Sequence, residues 1–206
     1  LTRKLPSKKD SRRVLKLRAN QNILLLMPAS RSQELRYILP TYLKTAKQLQ
    51  LRYPSLIVYI PSCRSSFDEK FRKGLEKYEI KGKVISQQDN SELKPYIYSL
   101  TKLALCKSGT VNMELALYDI PQIVGYRVSR VTAFIARRIL NFKVKFISPV
   151  NLLLKKLVIP EFVQKNFNEK KIFYQACRFL DLKSQKLKIK KGYALLKKEL
   201  GEEGVV

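Results

Sequence analysis

Histidine is absent from the 206 residues. Its absence excludes Ser-His-Asp and Cys-His catalysis by this chain alone, and it removes the commonest zinc ligand. Cysteine is scarce, since Cys63, Cys106 and Cys177 lie far apart and form no CxxC pair. We therefore expect reduced thiols and a reducing compartment, such as the cytoplasm or a plastid stroma.

Long apolar runs are also missing. A charged residue interrupts every candidate for the roughly 18 to 20 apolar residues that a membrane-spanning helix needs. The chain begins with Leu rather than Met and no signal segment follows, so we expect a fragment or a processed chain. Its length, its 45% apolar content and the lack of Pro or Gly clusters predict one globular domain.

Acidic residues are few, 16 against 42 basic ones, and the formal net charge is +26. Clustered Lys and Arg could neutralise the phosphates of a nucleic acid. They could equally attract an anionic membrane surface, at about 1 kcal/mol per well-placed basic residue. A third reading is codon bias that places lysines on solvated faces. Charge alone does not choose among these three.

The apolar segments alternate with amphipathic ones. This rhythm predicts an α/β fold with a parallel sheet flanked by helices. The predicted strands are Ile23–Met27, Leu56–Ile60, Lys83–Ser86, Leu103–Cys106 and Gln122–Tyr126. The predicted helices run from an N-cap at Ser30 to about Leu49, with Pro40 expected to kink or split the helix, and over Phe67–Tyr78, Ser91–Ser99 and Thr110–Tyr118.

The ends of the chain are more basic than its middle. We expect a mobile basic lead over residues 1–20, the main domain over 21–182 and a basic helical tail over 183–206. A loop, "KFISPVNLLLKKLVIPEF", precedes two Lys-rich helical segments that begin at Glu169.

Two polar loops follow predicted strands: "PASR" after the first and "KSGT" after the fourth. Ligands of open parallel sheets bind beyond the carboxyl ends of the strands, where both loops should lie. Gly109 would allow close approach to main-chain N–H groups at a helix start, which suits a diphosphate. Ser30 and Arg31 could bind the same phosphates, and the Glu114 carboxylate could accept both hydroxyls of a ribose. Alternatively, Ser-Gly-Thr is only a capped turn, and Arg31 and Glu114 are solvated surface charges.

Longer stretches resemble the lipid-A-disaccharide synthase family, glycosyltransferase family 19. "LLLMPASRSQELRYILPTYLKTAKQL" resembles its PGSR-x-x-E segment, and "KSGTVNMELALYDIPQIVGYRVSRVTAFIARRIL" resembles its SGT-x-x-x-E, VGYR and following helix. "FISPVNLLL" and "IPEFVQ" resemble its SxPNLL and VPELLQ stretches. The resemblance covers about Ile23 to Leu180, although Ala29 replaces the PGSR glycine and Val150-Asn151 replaces Pro-Asn.

The resemblance implies the Rossmann-like C-terminal half of an inverting, metal-independent GT-B glycosyltransferase that needs no cofactor. Such an enzyme joins UDP-2,3-diacylglucosamine to 2,3-diacylglucosamine 1-phosphate and releases UDP. Its general base would lie in an N-terminal half, so the catalytic residue stays unknown. The implied contacts are Ser30, Arg31, Ser108, Gly109 and Thr110 with the diphosphate, Glu114 with the ribose, and Tyr126, Arg127 and Asn151 with the sugar and phosphate end.

The same resemblance implies peripheral contact with the inner membrane surface, and a homodimer through C-terminal helices. The predicted helix at Val131–Leu140, flanked by arginines, could rest on lipid, or it could pack inside the domain or against a partner. Nucleic acid is the less favoured partner. The competing functional hypothesis is a basic module that binds nucleic acid or an anionic surface and has kept the fold without activity.

Overall fold

The computed structural model describes residues 4–129 and 145–201. Six strands alternate with helices along these residues. The strands are β1 (Asn22–Met27), β2 (Leu56–Pro61), β3 (Gly82–Ile85), β4 (Thr101–Lys107), β5 (Gln122–Tyr126) and β6 (Glu161–Val163). The helices are α1 (Lys8–Leu15), α2 (Ser32–Arg52), α3 (Ser65–Lys77), α4 (Gln87–Leu100), α5 (Val111–Leu117), α6 (Pro149–Leu153), α7 (Glu169–Asp181) and α8 (Lys183–Glu199), with a short 3₁₀ turn at Gln164–Asn166.

The six strands form one parallel sheet in the order β3-β2-β1-β4-β5-β6. The central strands are apolar on both faces because helices cover both sides of the sheet. Residues 23–26 of β1 and 103–106 of β4, for example, are completely buried. From β1 the chain adds strands toward one edge of the sheet, and from β4 it adds strands toward the other edge. A crevice is therefore expected at the carboxyl ends of β1 and β4. The predicted parallel α/β fold is confirmed.

The lead over residues 1–20 was expected to be mobile, but its residues Lys8–Leu15 form helix α1. The Ser7 hydroxyl caps this helix by accepting from the Asp10 N–H at 3.1 Å. Ser11 and Leu15 are buried, and the Ser99 hydroxyl of α4 donates to the Ser11 hydroxyl at 2.6 Å. The apolar pattern did not predict α1 because half of its buried face is serine.

The basic tail is not an appendage either. Ile189, Tyr193 and Leu196 of α8 are buried in the same core as the sheet. The Tyr193 hydroxyl donates to the Ile120 carbonyl at 3.0 Å and accepts from the Gln122 side chain at 3.1 Å. Helix α8 therefore belongs to the domain that the sequence analysis ended at residue 182.

Proline does not split helix α2, which is continuous from Ser32 to Arg52 with Pro40 inside it. Pro40 cannot donate to the carbonyl four residues earlier, at Arg36, but both residues are exposed and water can satisfy that carbonyl. Of the predicted kink or split at Pro40, the split is therefore wrong. Arg31, not Ser30, is the N-cap, and no side-chain hydrogen bond caps the helix.

Strand β6 lies where the sequence analysis expected a loop. Its three residues are half-buried, so apolar patterning could not reveal it. The predicted helix at Val131–Leu140 lies outside the described residues. Within the described ranges, no helix is long and apolar enough to cross a membrane.

Candidate functional site

The two polar turns meet at one edge of the sheet, as predicted. Strands β1 and β4 are parallel neighbours, and Met27 pairs with Cys106 at their carboxyl ends. The turns that follow these strands therefore start side by side. The Lys107 ammonium lies 3.4 Å from the Ser30 hydroxyl and so joins one turn to the other.

An ion pair that the sequence analysis missed lies at this junction. The Lys107 Nζ atom lies 2.8 Å from each carboxylate oxygen of Glu34. The two side chains are only 17% and 11% exposed. Glu34 stands in the first turn of α2, where a helix favours negative charge. Both residues lie in the stretches that resemble the family motifs. Glu34, three residues after Arg31, was the sequence feature that could have indicated an acidic group beside the turn.

The side chain of Asn112 stabilises the turn after β4 through hydrogen bonds to its main chain. Its completely buried side chain accepts from the Gly109 N–H at 2.9 Å and donates to the Lys107 carbonyl at 3.2 Å. It also donates to the Gln122 side chain at 3.1 Å, which ties the turn to β5. These contacts of Asn112 were not predictable from the sequence, because a buried asparagine in a helix leaves no apolar pattern.

Gly109 sits in an open place. Its φ is not positive, and an added Cβ would meet only the Lys107 Cε atom at 3.9 Å. Neither backbone conformation nor packing within the described residues requires glycine, so the open space itself is the feature that a ligand could use. Among the same residues, the N–H groups of Ser108 and Thr110 donate no hydrogen bond.

The helix after this turn is shorter than predicted, seven residues from Val111 to Leu117. Its dipole is correspondingly small, so binding of an anion there depends on individual N–H groups of the turn. The Ser108 hydroxyl donates to the Ile147 carbonyl. Ser108 therefore contributes its main chain to the open space while its side chain ties the turn to the segment before α6.

Glu114 projects toward helix α4. Its carboxylate lies 2.5 Å from the Lys94 ammonium, and the side chains are 35% and 37% exposed. An ion pair this exposed contributes little to stability, but it orients the carboxylate and leaves part of it open to solvent. A ligand hydroxyl could reach the open part.

The remaining predicted contacts of the first turn and of β5 line the same edge. Ser30 and Arg31 are exposed. Tyr126 ends β5 and is half-buried, and Arg127 follows it and is exposed. Arg127 also lines a cavity of about 550 Å³ between α2 and the start of α7, together with the basic Arg36, Lys44 and Lys170.

Asn151 does not face the open edge, contrary to the sequence analysis. It is completely buried, and its Nδ2 atom donates to the Ile159 carbonyl and to the Glu161 carboxylate, both at 2.7 Å. Its Oδ1 atom accepts from the N–H groups of Val158 at 2.8 Å and Ile159 at 2.9 Å. These contacts use the capacity of the side chain, so Asn151 shapes the loop instead of touching a ligand in this conformation.

Glu161 of β6 is a further supporting residue that the sequence analysis did not single out. Its carboxylate accepts from the N–H groups of Ile147 and Ser148, each at 2.8 Å. Because the Ser108 hydroxyl donates to the Ile147 carbonyl, the contacts run from β6 to the turn after β4. The acid of "IPEFVQ" was the sequence signal for it.

Within residues 4–129 and 145–201, no group of three or more Cys, Asp or Glu side chains could hold a metal ion. The only charged cluster at the sheet edge that joins the two turns in this part of the chain is the Glu34–Lys107 pair.

Solved structures of two glycosyltransferases and of one sugar-nucleotide epimerase share this architecture. WaaG, a glycosyltransferase involved in lipopolysaccharide biosynthesis, is 13% identical with a TM-score of 0.61, over 95% of this chain and 48% of that one. ADP-heptose LPS heptosyltransferase II from E. coli is 10% identical with a TM-score of 0.59, over 84% and 50%. UDP-GlcNAc 2-epimerase from Neisseria meningitidis, bound to UDP-GlcNAc, has a TM-score of 0.55 at 13% identity, over 95% and 48%. At these identities the likeness shows the fold alone, which is the Rossmann-like domain of the GT-B class.

Sequence comparison then defines the family. The family model described as "Lipid-A-disaccharide synthetase" matches residues 2–205. Lipid-A-disaccharide synthase of Prochlorococcus marinus (strain MIT 9313) is 46% identical over 98% of this chain and 51% of its own length. The enzyme of Synechocystis sp. (strain ATCC 27184 / PCC 6803 / Kazusa) is 33% identical over 100% and 51%. The chain belongs to the lipid-A-disaccharide synthase family, and it spans about half the length of these relatives.

Proposed function

We propose that this chain is the nucleotide-sugar-binding half of a lipid-A-disaccharide synthase. The reaction transfers 2,3-diacylglucosamine from UDP to 2,3-diacylglucosamine 1-phosphate, with inversion and release of UDP. The observation that carries the proposal is the meeting of the two turns, bridged by Lys107 at 3.4 Å from Ser30. Family membership supports the same activity.

In this proposal the diphosphate lies over Gly109. The N–H groups of Ser108 and Thr110, which have no partner among the described residues, donate to its oxygens. The exposed Arg31 guanidinium and the Ser30 hydroxyl approach from the other turn. Negative charge grows on the phosphate as the glycosidic bond breaks. Fixed donors aimed at that charge stabilise the transition state more than the ground state. The protein's own cations and N–H groups then serve this role, without a metal or another cofactor.

The Glu114 carboxylate accepts hydrogen bonds from the two ribose hydroxyls, and its ion pair with the Lys94 ammonium, at 2.5 Å, fixes its orientation. Tyr126 and Arg127 border the sugar end of the cleft. Asn151 contributes to binding indirectly, because the four hydrogen bonds of its side chain fix the loop that follows α6.

The catalytic base belongs to the N-terminal half of the whole enzyme, which brings the acceptor. We propose that the enzyme works peripherally at the inner membrane surface, on the cytoplasmic or stromal side, and as a homodimer. The formal charge of +26 supports attraction to an anionic surface. No contact of the described residues favours the competing module that binds nucleic acid.

Isothermal titration of the 206-residue chain with UDP tests the nucleotide role. We expect saturable binding, and a dissociation constant about tenfold higher in Glu114→Gln, which corresponds to about 1.4 kcal/mol for the weakened hydroxyl contacts. Asp119→Asn is the matched control, because Asp119 pairs with Lys197 at 2.9 Å at the other end of α5, and its side chain is similarly exposed (44%).

The control should bind UDP as the unmodified chain does. Absence of saturable binding, or equal affinity in Glu114→Gln and Asp119→Asn, contradicts the nucleotide role. Filter binding of RNA across a salt series tests the competing module, since tight binding with a steep salt slope that free UDP leaves unchanged would favour it.

A further inference from the structure

The Lys107 side chain connects the turn after β4 to the turn after β1 and to the start of α2. The Lys107 side chain runs beside Gly109, with Cε 3.9 Å from the position of an added Cβ. Its Nζ atom reaches the Ser30 hydroxyl at 3.4 Å and both oxygens of Glu34 at 2.8 Å. Lys107 therefore lies where the proposed diphosphate would bind, although no sequence motif assigned it a role.

The surroundings of this ion pair are unusual within the molecule. Among the ion pairs of the described residues, only Glu34–Lys107 has both side chains less than 30% exposed. Withdrawing two charges from water is costly, and apolar residues often stabilise such a place equally well. Because this ion pair lies between the two turns that face the proposed ligand, ligand binding by the Lys107 ammonium explains it better than stability does.

The third proton of the ammonium is poorly used. A lysine ammonium has three donors, and two of them are directed at Glu34 at 2.8 Å. The remaining contact, with the Ser30 hydroxyl at 3.4 Å, is too long for a strong hydrogen bond. A phosphate oxygen above Gly109 would be a stronger, charged acceptor for this donor.

We propose that Lys107 binds the diphosphate of the nucleotide directly, and that Glu34 both orients the ammonium and weakens its attraction for the phosphates. This role rests on the proposed nucleotide function and adds a residue to it. The two partners then have opposite effects on affinity. Lys107 attracts the diphosphate, whereas the carboxylate of Glu34 repels it across a partly dehydrated space, where charges interact more strongly than in water.

Titration with UDP and with uridine separates this role from a structural one. Lys107→Met should raise the dissociation constant for UDP about 30-fold and leave that for uridine unchanged, because uridine has no phosphate. Glu34→Gln keeps a hydrogen-bond acceptor for the ammonium but removes the negative charge. It should lower the dissociation constant for UDP about threefold, again with no change for uridine.

The double variant Glu34→Gln with Lys107→Met guards against misfolding, because it leaves no unpaired carboxylate. It should bind uridine normally and lose less UDP affinity than Lys107→Met, about tenfold instead of about 30-fold, because the repulsion by the Glu34 carboxylate is removed as well. Equal changes for UDP and uridine, unchanged UDP affinity in Lys107→Met, or a Glu34→Gln variant that does not bind UDP more tightly would overturn the role. If the unmodified chain bound neither compound, the proposed function would fail, and this role with it. UDP binding that ignores Lys107 would remove the role alone.

Discussion

Replacing Asn151 with alanine distinguishes a residue that shapes the loop from one that touches the ligand. The replacement removes two donated hydrogen bonds, to the Ile159 carbonyl and the Glu161 carboxylate, and two accepted ones, from the N–H groups of Val158 and Ile159. Neutral hydrogen bonds contribute about 1 kcal/mol each, and one to a charged group about 2 kcal/mol. Water entering the gap recovers part of this sum. We therefore expect the free energy of unfolding to fall by about 3 to 4 kcal/mol.

For a domain of this size, such a loss lowers the melting temperature by about 10 °C, which circular dichroism or scanning calorimetry measures. Asn168→Ala is the control, since among the described residues the Asn168 side chain caps α7 by accepting from the Lys171 N–H at 3.0 Å and makes one further, long contact, to the Lys165 carbonyl at 3.4 Å. It should cost about 1 kcal/mol. UDP titration well below both transitions should give near-normal affinity for Asn151→Ala. A melting temperature lowered by less than about 3 °C together with lost UDP affinity would refute the reasoning and make Asn151 a ligand contact.

Two matched pairs test other parts of the fold. Gly125→Ala should lower the free energy of unfolding by about 2 kcal/mol or more, because a Cβ there would overlap the Phe167 ring. Gly109→Ala should leave the free energy of unfolding unchanged and weaken UDP binding. Denaturant unfolding measures the stability of both variants and titration measures their UDP affinity; equal losses of stability would contradict the prediction. Tyr59→Phe should raise stability by about 1 kcal/mol, since the buried Tyr59 hydroxyl has no hydrogen-bond partner among the described residues, whereas Tyr42→Phe should lower it, since that hydroxyl donates to a buried carbonyl at 2.7 Å. Burial also raises the pKa of Tyr59 from 10.0 to about 12, so the unfolded chain loses this proton first and stability falls as the pH rises from 10 to 12; unfolding at alkaline pH should show a shallower decline in Tyr59→Phe, and an unchanged decline would argue against this origin.

Regular elements of the fold were predictable where the sequence pattern carries the physical signal. Continuous apolar runs such as Leu103–Cys106 exclude water on both faces and indicate a buried parallel strand, and the structure has β4 there. Helix α1 and strand β6 gave no such signal, since α1 buries a serine and β6 is only half-buried. Their positions depend on partners distant in sequence, Ser99 for α1 and β5 for β6.

The candidate site divides in the same way. Turn residues such as Ser30 and Gly109 could be named from sequence, because small polar residues after a buried strand mark the ligand edge of a parallel sheet. The ion pair of Glu34 with Lys107 could not be predicted, since its two residues lie 73 positions apart. Likewise, sequence could not distinguish Asn151 as a buried anchor from Asn151 as a ligand contact.

By itself, the sequence determined the α/β alternation, the family and the two turns, because apolar periodicity and local turn chemistry act over a few neighbouring residues. Only the tertiary structure decided that Lys107 faces Glu34 across the junction, that Asn112 and Glu161 brace the turn from within, and that α8 belongs to the core. The reason is physical: hydrogen-bond partners and burial depend on strand order and helix packing, which bring together residues that no local pattern connects.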